Sequence, residues 1–288
     1  MQLLVMLAIA LGMLLLTSIV TAVLQIGGVD IISSTGGMLS VQAFTQVLTF
    51  AVPVLLMTAI YYKGCAREYY RLDFGRRSWR CALAGVAILL LLVPAIDWLT
   101  VWNDGWDLGG AGAALRALQE QTESVLQQLM GTTTVGGLLA NLLVVALVPA
   151  VCEELFFRAG IQNLMQRWLK NPHAAIWITA VLFSLGHGEL FAFIPRLLMG
   201  AVLGYLYVYS GSLLPNMLAH FTNNALVVLL YWLSMRGVVD IDPDEPLRVG
   251  ALLTACCTLA AAALFAVTFL FRGRHDKAQC NKTLKTSR

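Results

Sequence analysis

Two adjacent carboxylates, Glu153 and Glu154, stand five and four residues ahead of a guanidinium in the run Cys152-Glu153-Glu154-Leu155-Phe156-Phe157-Arg158. On a helix Glu154 and Arg158 are i,i+4 and can pair, whereas Glu153 is turned about 100° away and is free to face another neighbour. Two imidazoles follow, in Phe183-Ser184-Leu185-Gly186-His187 and in His220-Phe221-Thr222-Asn223-Asn224. Phe183 and His187 share one helical face, and His220 and Asn224 share another. A carboxylate beside a histidine in a dehydrated site can take a proton from water as that water attacks a carbonyl. A second histidine with an amide can donate hydrogen bonds to the oxyanion that forms. The same Glu and two His could instead ligate Zn²⁺ with an open fourth position, another hydrolase arrangement. Neither an H-E-x-x-H nor a G-x-S-x-G run is present, so the helix-borne zinc and serine-elbow signatures are missing.

These polar groups lie in a chain whose composition demands lipid as solvent. Of 288 residues, 59% are hydrophobic and 12% are charged, about half the charged share of an ordinary soluble domain. About 20 apolar residues in helix cross a bilayer core, and eight stretches approach that length: Leu3–Leu24, Val41–Tyr62, Cys81–Val101, Val135–Phe157, Ala174–His187, Phe193–Tyr209, Leu213–Leu233 and Val249–Phe271. The expected fold is therefore an all-α polytopic transmembrane bundle of about eight spans, forming a single integral membrane domain over residues 1–288. The first run exceeds the apolar region of a signal peptide and has no basic residue before it, so it reads as a retained span. Six cysteines, at 65, 81, 152, 256, 257 and 280, show no C-x-x-C spacing and suggest neither a disulfide framework nor a thiolate metal site.

Charge orients such a bundle. Lys63, Arg67, Arg71, Arg76, Arg77 and Arg80 lie between spans two and three, Arg158, Arg167 and Lys170 follow span four, and a basic tail at 272–288 carries six more. Eight spans put all of these on one face, leaving Arg116, Arg236 and Arg248 opposite and Arg196 at the entry to span six. Both termini are expected in the cytoplasm. Reporter fusions at Arg77 and at Asp244 should accordingly mark opposite faces of the membrane; the same face would refute eight spans. Residues 104–131 show helical periodicity in Leu115, Leu118, Val125, Leu126 and Leu129, as in a helix lying along the outer interface.

Ionisable side chains inside spans point to function by default. Asn171-Pro172 ends helix four and starts a helical hairpin, which brings Glu153 and His187 to nearly equal depth. His220 enters from the same side, and Pro149 can bend the helix around a cavity.

The ordered set Glu153-Glu154-x-x-x-Arg158, Phe183-x-x-x-His187 and His220-x-x-x-Asn224 resembles the CPBP (Abi) family over roughly residues 135–235. That family includes CaaX prenyl-protein endopeptidases and bacterial relatives linked to bacteriocin processing or self-immunity. The resemblance implies an intramembrane endopeptidase whose water-activating base matches Glu153, whose histidines match His187 and His220, and whose amide matches Asn224. Glu154 and Arg158 complete the set. It favours a glutamate mechanism without tightly bound metal, with zinc as the other option, and a peptide or membrane-protein substrate within the lipid bilayer rather than nucleic acid. The setting it suggests is a bacterial inner (plasma) membrane. A catalytically silent scaffold or self-immunity protein of the same fold is the alternative.

Overall fold

The computed structural model describes residues 1–28, 31, 34–63, 66–72, 75–243, 245–247 and 249–271. The basic tail at 272–288, Asp244, Arg248, Cys65 and Cys280 lie outside these. The described residues form helices and no strands: α1 (Gln2–Ile26), α2 (Thr35–Tyr61), the short α3 (Ala66–Tyr70), α4 (Arg76–Asp104), α5 (Gly109–Met130), α6 (Val135–Leu169), α7 (Pro172–Gly186), α8 (Phe193–Ser210), α9 (Leu214–Met235) and α10 (Ala251–Phe265, wound on to Phe271). Seven of them are long and apolar enough to cross a membrane. With α7 as the shorter eighth, this is an all-α polytopic membrane bundle of about eight spans. Leucines, valines and isoleucines cover the outward faces of α1, α2, α4 and α10, as lipid-facing helices require.

Two proline-linked distortions shape the centre. In α2 the turns at Val47–Ala51 are wound as π-helix just before Val52-Pro53, and in α6 the turns at Leu142–Leu147 are wound the same way just before Val148-Pro149. Proline offers no N–H to the preceding turn and its ring crowds the carbonyl four residues back. Widening that turn to i→i+5 bonding is one way for a helix to absorb both effects. A further π stretch at Leu155–Gln162 follows Glu154 directly. At 35 residues, α6 is about 52 Å long, and Glu153 lies near its middle.

The α7–α8 hairpin packs closely because small residues face one another. A Cβ on Gly200 would stand 3.2 Å from Ala180 Cα, and one on Gly204 would stand 2.8 Å from Ile176 Cγ2, a small-xxx-small contact of the membrane type. The 15 residues of α7 reach only about 22 Å, so the chain breaks helix at membrane depth. Every such break needs its backbone groups satisfied. Asn103 of α4, fully buried, does this: its Nδ2 donates to Leu190 O at 3.0 Å and its Oδ1 accepts from Ile194 N at 2.7 Å. Ser184 Oγ donates to Phe193 O at 2.6 Å. His187 is therefore not inside a helix, as its spacing from Phe183 suggested, but caps the end of α7 just before Gly188, whose φ is +73°.

Asn171 begins α7 by accepting hydrogen bonds from His173 N and Ala174 N at 3.0 and 3.2 Å, with Pro172 at the first helical position where no donor is lost. The amphipathic segment forms α5. It buries Gly112, Gln119, Leu129 and Met130 while Leu118, Val125 and Leu126 stay exposed.

Candidate active site

Glu154 sits at the centre of a closed polar network. It is fully buried, and both of its oxygens are engaged. Oε2 accepts from Arg158 Nε at 3.0 Å and from Asn216 Nδ2 at 3.2 Å, while Oε1 accepts from His220 Nδ1 at 3.0 Å. Asn216 also donates to Leu203 O, tying α6 to both α8 and α9. The ion pair that helical spacing suggested thus forms, with both side chains at 0% exposure. Arg158 lays its guanidinium 5.3 Å from the Phe183 ring centroid, and its Nη1 and Nη2 have no hydrogen-bond partner among the described residues. Breaking one side of such a buried pair is costly, because the other charge is left without compensation.

Glu153 is different. It is buried, and its Oε1 receives one hydrogen bond, from Gln46 Nε2 at 3.4 Å. Its Oε2 has no hydrogen-bond partner among the described residues. That oxygen lies 3.9 Å from His187 Nε2 and 3.9 Å from His220 Nε2. Such a gap is too long for a direct hydrogen bond and about the width that one shared water spans.

The partners of each imidazole fix which nitrogen faces Glu153. His187 Nδ1 lies 2.8 Å from Phe183 O, and a carbonyl can only accept, so the proton is on Nδ1. His220 Nδ1 points at the Glu154 carboxylate in the same way. In the neutral rings both Nε2 lone pairs therefore converge on Glu153. Phe183, fully buried, supports the arrangement from beneath, with ring centroids 4.8 Å from His187 and 5.9 Å from His220. His187 keeps some 28% of its side chain accessible, while His220 keeps 3%. The approach to the carboxylate is on the His187 side.

Glu153, Glu154, Arg158, His187 and His220 therefore stand together. Asn224 stands one turn beyond His220, half-buried, with Oδ1 accepting from Asn223 Nδ2 at 3.3 Å. Among the described residues it makes no hydrogen bond to the other five. Gln46 and Asn216, by contrast, contact the two carboxylates directly and were not singled out by motif. Among the described residues no three His, Cys, Asp or Glu side chains are grouped to hold a metal ion. The two 3.9 Å separations exceed the about 3.4 Å between neighbouring ligands on tetrahedral zinc, so these three side chains would have to close in to hold the metal.

The family model described as type II CAAX prenyl endopeptidase, Rce1-like, matches residues 135–226. No curated protein and no solved structure gives a match. The matched segment supplies every side chain around the two carboxylates except Gln46, which reaches Glu153 from α2. Residues 135–226 of this integral, multi-pass membrane protein are similar to the Rce1-like type II CAAX prenyl endopeptidases, which supports placing that segment with the CPBP/CAAX proteases.

Proposed function

We propose that the protein is an intramembrane endopeptidase that hydrolyses peptide bonds of membrane-associated or lipidated peptides, with Glu153 as the base that activates water. One observation carries this reading: a buried carboxylate oxygen with no hydrogen-bond partner among the described residues faces two imidazole nitrogens at a one-water distance. Water held there can donate one hydrogen to Glu153 Oε2 and the other to His187 Nε2. As its oxygen bonds to the peptide carbonyl carbon, its proton passes to Glu153. The carboxylic acid then returns that proton to the departing amine, leaving Glu153 ionised for the next turnover. His220 is the donor to the oxyanion. Its Nδ1 is committed to Glu154, so it donates through Nε2 only as an imidazolium balanced by that carboxylate. Asn224, on the same face of α9, is a second donor once substrate is bound. The unit acts as one membrane domain with residues 135–235 as its core, both termini in the cytoplasm and a plasma membrane as its setting.

The direct test is the purified protein on a quenched-fluorescent peptide library, wild type beside Glu153→Ala. Cleavage by the wild type and none by the variant is expected. Cleavage by neither gives the protein the role of a silent scaffold.

Gln46 supplies a subtler check. Its single hydrogen bond leaves Oε1 occupied and Oε2 free. Loss of a hydrogen bond to a charged group is worth about 1.5–3 kcal/mol, so Gln46→Ala is expected to lower kcat by about 10–100-fold with KM little changed. Gln46→Glu places a second carboxylate against Glu153 and should be worse. A Gln46→Ala enzyme with unaltered kcat removes Gln46 from the machinery.

A further inference from the structure

A second polar cluster lies away from the carboxylates, where Arg71 and Arg167 stand against the rings of Tyr62, Tyr69 and Tyr207. Arg167 Nη1 donates to Tyr62 Oη at 2.7 Å, and Tyr62 Oη donates in turn to Gln2 Oε1 at 2.9 Å. The Arg167 guanidinium lies 5.2 Å from the ring centroids of both Tyr62 and Tyr69. Arg71 lies 5.4 Å from the ring of Tyr207. Its backbone is left-handed, with φ 51°, a conformation that side chains other than glycine adopt reluctantly. Its carbonyl is pinned by Leu213 N at 3.0 Å. Among the described residues neither guanidinium forms an ion pair.

The two phenols between these cations are incomplete. Tyr69 and Tyr207 are 4% and 0% exposed, and the hydroxyl of each is buried with no hydrogen-bond partner among the described residues. Burial raises the Tyr69 phenol well above its ordinary pKa, so it remains a neutral donor. The charges of Arg71 and Arg167 both act on Tyr207, and that of Arg167 on Tyr69. Two cations and two unspent O–H donors thus lie within one another's electrostatic reach. Orphaned buried donors are rare, and each calls for a partner. A phosphate group, with charged oxygens able to accept from guanidinium and hydroxyl together, satisfies all four.

We propose that Arg71, Arg167, Tyr69 and Tyr207 form a binding site for the phosphodiester headgroup of an anionic phospholipid. The lipid source follows from position. The cluster lies where apolar spans give way to a basic loop, beside Trp168, which is 74% exposed, as an indole at the membrane interface would be. Arg71 is half-buried and Arg167 exposed, so an anion reaches both from the headgroup side.

The test measures binding of phosphatidylglycerol and of phosphatidylcholine to the purified full chain in mixed micelles by native mass spectrometry. Phosphatidylglycerol is expected to bind more tightly. Arg71→Gln and Arg167→Gln should each weaken it about fivefold, and Tyr69→Phe and Tyr207→Phe by about 2–10-fold. The phenylalanine variants lose no existing hydrogen bond, so their unfolding midpoints in phosphatidylcholine should match the wild type. Equal binding of the two lipids, or wild-type phosphatidylglycerol affinity in all four variants, overturns the proposal. Inorganic phosphate or glycerol phosphate that displaces the lipid at comparable concentration overturns the lipid source and makes this a soluble-anion site.

Discussion

Glu153→Gln should lower peptide hydrolysis by about 10²–10⁴-fold, the range for losing a general base, while folded yield and thermal stability stay near wild type. The amide has almost the shape of the carboxylate, so no cavity opens. It can still accept from Gln46 Nε2 through its oxygen, replacing the 3.4 Å bond to Glu153 Oε1. In the resting protein, where both rings are neutral, its nitrogen falls where Oε2 stood, facing the unprotonated Nε2 atoms of His187 and His220. An N–H donor pointed at two lone pairs is at least as well satisfied as a carboxylate oxygen with no partner. What the amide cannot do is take a proton from water. The measurement is turnover on a cleaved peptide together with the unfolding midpoint in the same detergent, which should move by no more than about 2–4 °C. A variant that keeps wild-type turnover removes Glu153 from the role of base.

The parts of the site that repeat at helical spacing were legible without coordinates. Glu154 and Arg158 pair as i,i+4 neighbours, and the turn at Asn171-Pro172 fixed a hairpin register that sets Glu153 opposite His187. Lipid-length apolar runs made the bundle equally legible, because composition alone excludes water as the solvent of those faces. What escaped has physical reasons. Gln46 lies 107 residues from Glu153, and with Gln42 at i,i+4 on the same helix it reads as an ordinary polar face. Asn216, in the first turn of α9 just after Pro215, reads as ordinary helix-start chemistry, although it spans Glu154 and Leu203. The glycines on either side of His187 were the available signal that it caps a helix instead of lying within one. The π-helical turns ahead of Pro53 and Pro149 follow from proline's missing donor, but a kink or an unpaired carbonyl would have met the same need. Sequence does not choose between them.

Glu154→Gln should fail in a different way from Glu153→Gln, through stability first and activity second. Glu154 balances Arg158 in a network with no exposure, and the Arg158 Nη atoms already lack partners among the described residues. Neutralising the carboxylate leaves a buried cation uncompensated, at a cost of about 3–5 kcal/mol. It also releases His220 Nδ1 from a charged acceptor 3.0 Å away, so the imidazole loses both its orientation and the anion that balances it when protonated. Lower folded yield, a depressed unfolding midpoint and reduced turnover in the surviving fraction are expected together. The double variant Glu154→Gln/Arg158→Met separates the two effects. Removing the cation as well eliminates the uncompensated charge, and a thioether side chain packs against Phe183, so much of the lost stability should return. Turnover should not return with it, because His220 still lacks its anionic partner. If the double variant is no more stable than Glu154→Gln alone, the pair contributes by shape and not by charge balance. If Glu154→Gln folds as well as wild type yet abolishes cleavage, while Glu153→Gln cleaves normally, the base is Glu154 and the two carboxylates exchange roles.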